Sequence, residues 1–217
     1  YAKQNGKNRI QVYEGNIDAE RRNKETGYEQ VAPTVYALVA AIDAKDSFTF
    51  QHSTNVSQYA VLLAQKLGLP GDDIHTVKVA GLLHDIGKIG IPESILKKAG
   101  KLTNEEYEIM KSHVQKSIEM IHYLPNMNYV IPAVVSHHER YDGKGYPRGL
   151  KGEGIPFLGR ILAVCDSFDA MISKRAYKEA LSVEYAMGEL EKNKGTQFDP
   201  KVADAFIELI KEGKVPL

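Results

Sequence analysis

An all-α fold is expected from residue 28 onward, and three observations predict it. Apolar residues recur there at three- and four-residue spacing, the stripe of an amphipathic helix. No alternating apolar and polar run of strand length follows Val12. Capping and breaking residues fall where the stripes begin and end.

The elements follow in order. Val31, Val35, Leu38, Val39 and Ile42 make the first stripe. Val56, Ala60, Leu63, Ala64 and Leu67 make the second, which Gly68 and Pro70 end. Ile74, Val77, Ala80 and Gly81 begin a third, running into Leu82-Leu83-His84-Asp85. Thr103, with Glu106 three residues on, is a capping box; it opens a helix expected to run through Ile109, Met110 and His113 to about Tyr123. Tyr129 to Glu139 reads as another helix. A loop from Tyr141 to Pro156 comes next, holding Gly143, Gly145, Gly149, Gly152 and Gly154. Helices are expected again at Leu158–Ser173, Val183–Lys192 and Pro200–Lys211. Ahead of these, residues 1–15 are basic and β-leaning from Arg9 to Tyr13, and Asn16 to Thr26 reads as a polar connection or an exposed helical stretch.

Composition bounds the function. The chain has 217 residues, 43% hydrophobic and 26% charged, room for one domain and a scrap of another. These values exclude collagen-like, low-complexity and wholly disordered classes. No run of eighteen apolar residues exists, so no membrane span is expected. Lys plus Arg, 28, equals Asp plus Glu, 28, whereas a duplex-binding domain carries a basic surplus. Duplex nucleic acid is therefore not an expected partner. Cys165 is the single cysteine, which points to a reducing compartment, the cytoplasm. Residue 1 is Tyr, so the chain is expected to start inside a longer protein, whose membrane anchoring stays open.

The histidines carry the chemistry. His84-Asp85 and His137-His138 each end an apolar stretch, His52 opens a helix, His113 is expected in mid-helix, and Asp166 follows the apolar run Ile161 to Cys165. Imidazole with carboxylate suits borderline divalent metals such as iron, manganese or zinc. One carboxylate can also bridge two ions about 3.5–4 Å apart. Neighbouring helical residues point about 100° apart, so His137 and His138 can share a site only near a helix end or in an enclosing groove. His84 and Asp85 face the same constraint. His75 and His122 have no acidic or histidine neighbour at ligand spacing and read as surface or core residues. A polar group in an apolar stretch costs desolvation unless something compensates, which favours ligation for His84 and Asp166. Spacing alone leaves both a metal site and ordinary histidines open.

Four segments in order, HDIGKIGIP at 84–92, KSH at 111–113, HHERYDGKGYPRGLKGEGIP at 137–156 and RILAVCDSFDAMISKRAYK at 160–178, resemble an HD-GYP domain. An isolated HD pair would be weak; the ordered set is specific and covers roughly residues 30–210. The resemblance implies a helical HD-domain bundle with a glycine-rich GYP loop. Its implied activity is hydrolysis of cyclic di-GMP to linear pGpG, and on to GMP if the reaction continues. Carried onto this chain, the metal ligands are His52, His84, Asp85, His113, His137, His138 and Asp166. Asp85 would bridge two ions, iron or manganese first among the candidates, with His52, His84 and Asp166 on one and His113, His137 and His138 on the other. Relatives with a third metal carry a glutamate one turn before the first histidine; here Phe48 stands there, and Asp46 falls on another side of the turn. A two-metal site is therefore expected.

Asp85 and Lys88 are the expected catalytic residues, and Lys88, one turn after His84, is placed to offer an ammonium to the phosphate. The resemblance assigns Arg175 and Lys178 to guanine and phosphate contacts, for which a guanidinium's bidentate donors are suited. Tyr146 offers a ring for base stacking. Asp169 matches a family aspartate, and Cys165 reads as a small buried core residue. YAKQNGKNRIQVY at 1–13 resembles the end of a GGDEF domain, an α/β fold. The implied organisation is a GGDEF remnant at 1–15, a linker at 16–30 and the HD-GYP domain at 31–217. Expected partners are cyclic di-GMP and a GGDEF domain in the same chain or in trans, with a homodimer left open. Two competing readings stand beside the enzyme: a low-turnover module that holds the dinucleotide, and a hydrolase of another cyclic dinucleotide or nucleotide.

Overall fold

The computed structural model describes residues 28–42, 49–174 and 180–216. Its helices are α1 (28–42), α2 (Thr49–Lys66), α3 (Gly71–Leu83), α4 (Glu93–Leu96), α5 (Asn104–Lys111), α6 (His113–His122), α7 (Ile131–Ser136), α8 (Phe157–Ile172), α9 (Val183–Lys192) and α10 (Pro200–Lys211). Short 3-10 turns cover Ile86–Gly90, Asn128–Val130 and Gly152–Gly154. No strand occurs among the described residues; Lys194 and Phe198 make one isolated bridge. The all-α expectation holds for this part of the chain. The expected GGDEF remnant and most of the linker lie outside the described residues.

The stripes read from the sequence face inward. Val31, Val35, Val39 and Ile42 of α1 are buried, as are Val56, Tyr59, Ala60, Leu63 and Ala64 of α2. Helices α2 and α3 pack so closely that a Cβ on Gly81 would stand 2.7 Å from the Ser57 Cα. Ser57 Oγ donates to the Lys78 carbonyl at 2.7 Å across the same contact. At the heart of the core, Tyr59 (α2), Phe168 (α8) and Phe206 (α10) meet with ring centroids 5.1 to 6.0 Å apart. Such rings contribute through buried area and edge-to-face geometry.

Two expected helices differ. The one through 103–123 is two, broken at Ser112, whose Oγ donates to the Ile109 carbonyl at 2.6 Å and whose N–H bonds the same carbonyl at 3.1 Å. Those i−3 bonds tighten the last turn of α5 and end it. His113 therefore begins α6 instead of sitting in mid-helix. The helix expected at 129–139 spans only Ile131–Ser136, with Pro132 in its first turn. The capping box forms as read: Glu106 N–H donates to Thr103 Oγ1 at 3.2 Å and Thr103 N–H to Glu106 Oε2 at 2.7 Å.

Candidate metal centre

The structure gathers all seven expected ligands in one place. One ligand atom from each of Asp85, His113, His137 and His138 lies within 4.8 Å of the others, and the same holds for His52, His84 and Asp85. Asp85 belongs to both groups, one oxygen to each. Its Oδ1 is 3.3 Å from His113 Nε2; its Oδ2 is 3.4 Å from His84 Nε2 and 3.8 Å from His52 Nε2. Asp166 joins the second group, with Oδ1 3.2 Å from His52 Nε2 and 3.9 Å from His84 Nε2.

Helix ends make this convergence possible. His84 follows the last residue of α3, His137 the last of α7, and His113 comes two residues after α5. Each donates Nδ1–H to the carbonyl three residues back: Gly81 at 2.7 Å, Met110 at 2.7 Å and Val134 at 2.6 Å. Those carbonyls belong to last turns, where backbone acceptors lack helical partners. The bonds hold the rings and leave each Nε2 lone pair free to face the cluster. Asp85, at φ −106° and ψ 3°, has left helical geometry, so adjacent His84 and Asp85 share a site. His137 and His138 do likewise past α7, their rings 4.0 Å apart.

His52 sits in the first turn of α2 and is held from α8. Asp169 Oδ2 accepts from His52 Nδ1 at 2.7 Å, Asp169 Oδ1 accepts from Asn55 Nδ2 at 2.8 Å, and Ser173 Oγ donates to Oδ2 at 3.1 Å. Behind the HD turn, Ser117 Oγ of α6 donates to the His84 carbonyl at 3.0 Å and accepts from Gly87 N–H at 2.8 Å. Gly87 has no room for a Cβ, which would stand 2.0 Å from the His113 carbonyl. The two segments carrying His84 and His113 are thereby fixed to each other. Residue spacing gave no signal for Ser117 or Asn55.

Burial and charge define the electrostatics. Burial, with His138, His84 and His113 alongside, keeps His137 well below the usual imidazole range. Burial also brings His138 down to about 4 and lowers His113, against the pull of Asp85 on both. Burial opposes charge at His52 too, but Asp166 and Asp169 outweigh it and raise it to about 9. Asp85 is held well below the carboxylate range, its burial overcome by Lys88 and His84.

Five of the six buried side-chain polar atoms that lack a hydrogen-bond partner among the described residues lie here: Nε2 of His52, His84, His113 and His137, and Asp85 Oδ1. An unsatisfied buried acceptor costs about 1–3 kcal/mol. Four imidazole nitrogens and a carboxylate oxygen, turned toward one another, form a donor set that fits divalent metal ions.

Lys88 reaches the cluster from a 3-10 turn, its Nζ donating to Asp85 Oδ2 at 2.5 Å. The GYP loop folds back over the end of α7. Tyr146 N–H bonds the His138 carbonyl at 3.2 Å, and the buried Glu139 accepts from Arg148 N–H at 2.8 Å and Leu150 N–H at 3.0 Å. Only glycine fits at 145, where a Cβ would stand 2.3 Å from Arg140 N. The Tyr146 ring stacks on His138, with centroids 4.7 Å apart and 28° between planes, so that face is taken. A cavity of about 300 Å³ opens beside the cluster, lined by His137, His138, Arg140, Lys144, Tyr146 and Tyr107, among others. Tyr107, Arg140 and Lys144 were not singled out by the sequence reading. Arg175, Lys178, Phe48 and Asp46 lie outside the described residues. Cys165 is fully buried, its thiol pushed well up by burial, as a core residue should be.

A helical bundle that draws buried histidines and aspartates from helix ends into one cluster defines an HD-type domain. A family model described as HD domain matches residues 37–202, and the chain belongs to that family. It is 41% identical over 181 residues to a cyclic di-GMP phosphodiesterase response regulator, RpfG, of Xanthomonas campestris pv. campestris, covering 82% of this chain and 48% of that protein. It is 39% identical over 176 residues to a 3′3′-cGAMP-specific phosphodiesterase of Vibrio cholerae, covering 80% of this chain and 34% of that protein. The chain thus spans less than half the length of either relative. The fold is similar to the crystal structure of a cyclic GMP-AMP-specific phosphodiesterase of V. cholerae, with a TM-score of 0.66 and 18% identity over 83% of this chain and 49% of that one. No helix among the described residues is long and apolar enough to cross a membrane.

Proposed function

We propose that this domain is a metal-dependent phosphodiesterase that opens cyclic di-GMP to linear pGpG on two divalent ions, iron or manganese. The carrying observation is the set of four buried, unpartnered imidazole nitrogens gathered around the Asp85 carboxylate. Two ions in such a site supply a low-pKa water and offset charge on the phosphoryl oxygens. His52, His84 and Asp166 would hold one ion, His113, His137 and His138 the other, and Asp85 both.

The remaining residues act on the substrate. Lys88 brings an ammonium to the edge of the cluster, where it can meet a phosphoryl oxygen. Arg140 and Lys144 put positive charge on the cavity wall that an anionic dinucleotide enters. Tyr146 keeps the His138 ring in place by stacking on it. Arg175 and Lys178 complete the assigned substrate contacts on the strength of the HD-GYP resemblance. We also read residues 31–217 as the catalytic domain, downstream of a GGDEF domain in a cytoplasmic signalling protein.

The test is direct. Oxygen-free protein, loaded in turn with ferrous iron and manganese, is incubated with cyclic di-GMP and the products are separated. Accumulation of pGpG is expected. No product with metal bound would sink the enzyme reading, and rapid conversion to GMP would overturn the two-metal argument from Phe48. A second reading, hydrolysis of a mixed cyclic dinucleotide, draws on the 39% identity to the cGAMP-specific relative. Competition between cyclic di-GMP and 3′3′-cGAMP separates the two.

A further inference from the structure

We infer that Tyr107 of α5, with Lys111 one turn on, forms a stacking subsite for a purine base of the cyclic dinucleotide. The inference rests on the phosphodiesterase reading and adds to it the place where a base is held. Tyr146 is the aromatic residue the GYP motif suggests for this task, but one face of its ring is already engaged, stacked on His138. Tyr107 lines the same cavity, is 47% exposed, and touches Tyr146 edge-to-face at 6.3 Å and 81°. Two ring contacts therefore link Tyr107 to His138 through Tyr146.

Helix α5 gains little from the core. None of its residues is buried, so Tyr107 does not owe its place to packing in the interior. Yet the helix is held firmly. The capping box fixes its start, Lys98 Nζ donates to Glu106 Oε2 at 2.5 Å, and its last turn receives the His113 bond to the Met110 carbonyl. Tyr107 and Lys111 are four residues apart and share a face, and His113 follows Lys111 by two residues. Base subsite and metal cluster are thus joined by one short, rigid segment. Lys111 Nζ lies 5.3 Å from the Tyr107 centroid and pairs with the exposed Glu108 at 2.6 Å. A base laid on Tyr107 meets an aromatic face flanked by a cation, the pairing that nucleic-acid-binding surfaces use for stacking.

Stacking has a signature that hydrogen-bond readout lacks. Every base has a π-face, so the subsite holds guanine and adenine alike. The experiment compares Tyr107→Ala, Tyr107→Phe and Tyr107→Leu with the wild type, all metal-loaded, on cyclic di-GMP and on 3′3′-cGAMP, with metal content measured alongside. Tyr107→Ala should raise KM roughly 5- to 50-fold for both nucleotides, with the loss concentrated in KM, and Tyr107→Phe should restore it to within about twofold. Tyr107→Leu keeps bulk and helix propensity without the π-face and should stay impaired. If Leu restores KM as well as Phe does, Tyr107 merely props Tyr146 and the inference is overturned. An unchanged KM in Tyr107→Ala, with the wild type active, overturns the inference and leaves the phosphodiesterase reading intact. A wild type inactive on both nucleotides overturns both.

Discussion

Helices α2 and α8 each serve two regions of opposite character. Tyr59 of α2 and Phe168 of α8 meet Phe206 of α10 in an aromatic centre, while His52 of α2 and Asp166 and Asp169 of α8 belong to the polar cluster. Tyr59 lies seven residues, or about 10 Å of helix, beyond His52. In the aromatic centre nothing is left wanting; even the Tyr59 hydroxyl donates to the Pro216 carbonyl at 3.0 Å. In the cluster, five buried atoms have no partner. The same two helices therefore carry the stabilising and the destabilising parts of the fold. The packed region holds the frame, and the cluster leaves buried polar atoms that a bound cation would satisfy.

Asp85 is where that contrast breaks most sharply. Asp85→Asn removes the one charge shared by both ligand groups. Metal content should fall and turnover should drop on the order of a thousandfold or more, because several kcal/mol of charge stabilisation leaves with the ions. Metal analysis beside the pGpG assay reads this, and an active, metal-replete variant would refute a shared ligand. Phe206→Ala strikes the other region. It should lower unfolding stability by about 3–5 kcal/mol in denaturant titrations, with the metal-to-protein ratio of the folded fraction unchanged. Loss of metal in this variant would show that the two regions are not separable.

Much of this was legible in the sequence. The apolar stripes of α1, α2 and α3 gave the core because burial imposes the helical period directly. Helices α9 and α10 form over the expected ranges, and the structure shows side-chain caps at their starts, Ser182 and Asp199. The ordered HD, HH and GYP motifs named the cluster because its chemistry requires those residue types. The break at Ser112 was hidden: Thr103 promises a helix, and nothing in KSH announces that a hydroxyl and an imidazole will take the carbonyls of Ile109 and Met110. Ser117 and Glu139 were hidden for a related reason. Each acts on the backbone of a distant segment, a contact that no periodicity records. Tyr107 escaped because an aromatic residue on a helix reads as core, and only the fold leaves this one at a cavity mouth.

The smallest expected effect sharpens the comparison most, because its sign should reverse with metal. His137 is buried and neutral, donates Nδ1–H to the Val134 carbonyl, and presents an unpartnered Nε2. Leucine at 137 loses that one hydrogen bond, worth about 0.5–1.5 kcal/mol, and removes an unsatisfied acceptor costing about 1–3 kcal/mol. Metal-free His137→Leu should therefore fall between about 0.5 kcal/mol less and about 2.5 kcal/mol more stable than the metal-free wild type, centred on a gain of about 1 kcal/mol. Adding metal should stabilise the wild type by roughly 3 kcal/mol at a hundredfold excess over Kd, and the variant by less. Thermal melts of both proteins, with chelator and with manganese, decide the matter. A variant less stable than the wild type in both conditions would mean that His137 serves packing, and that the cluster costs the fold nothing.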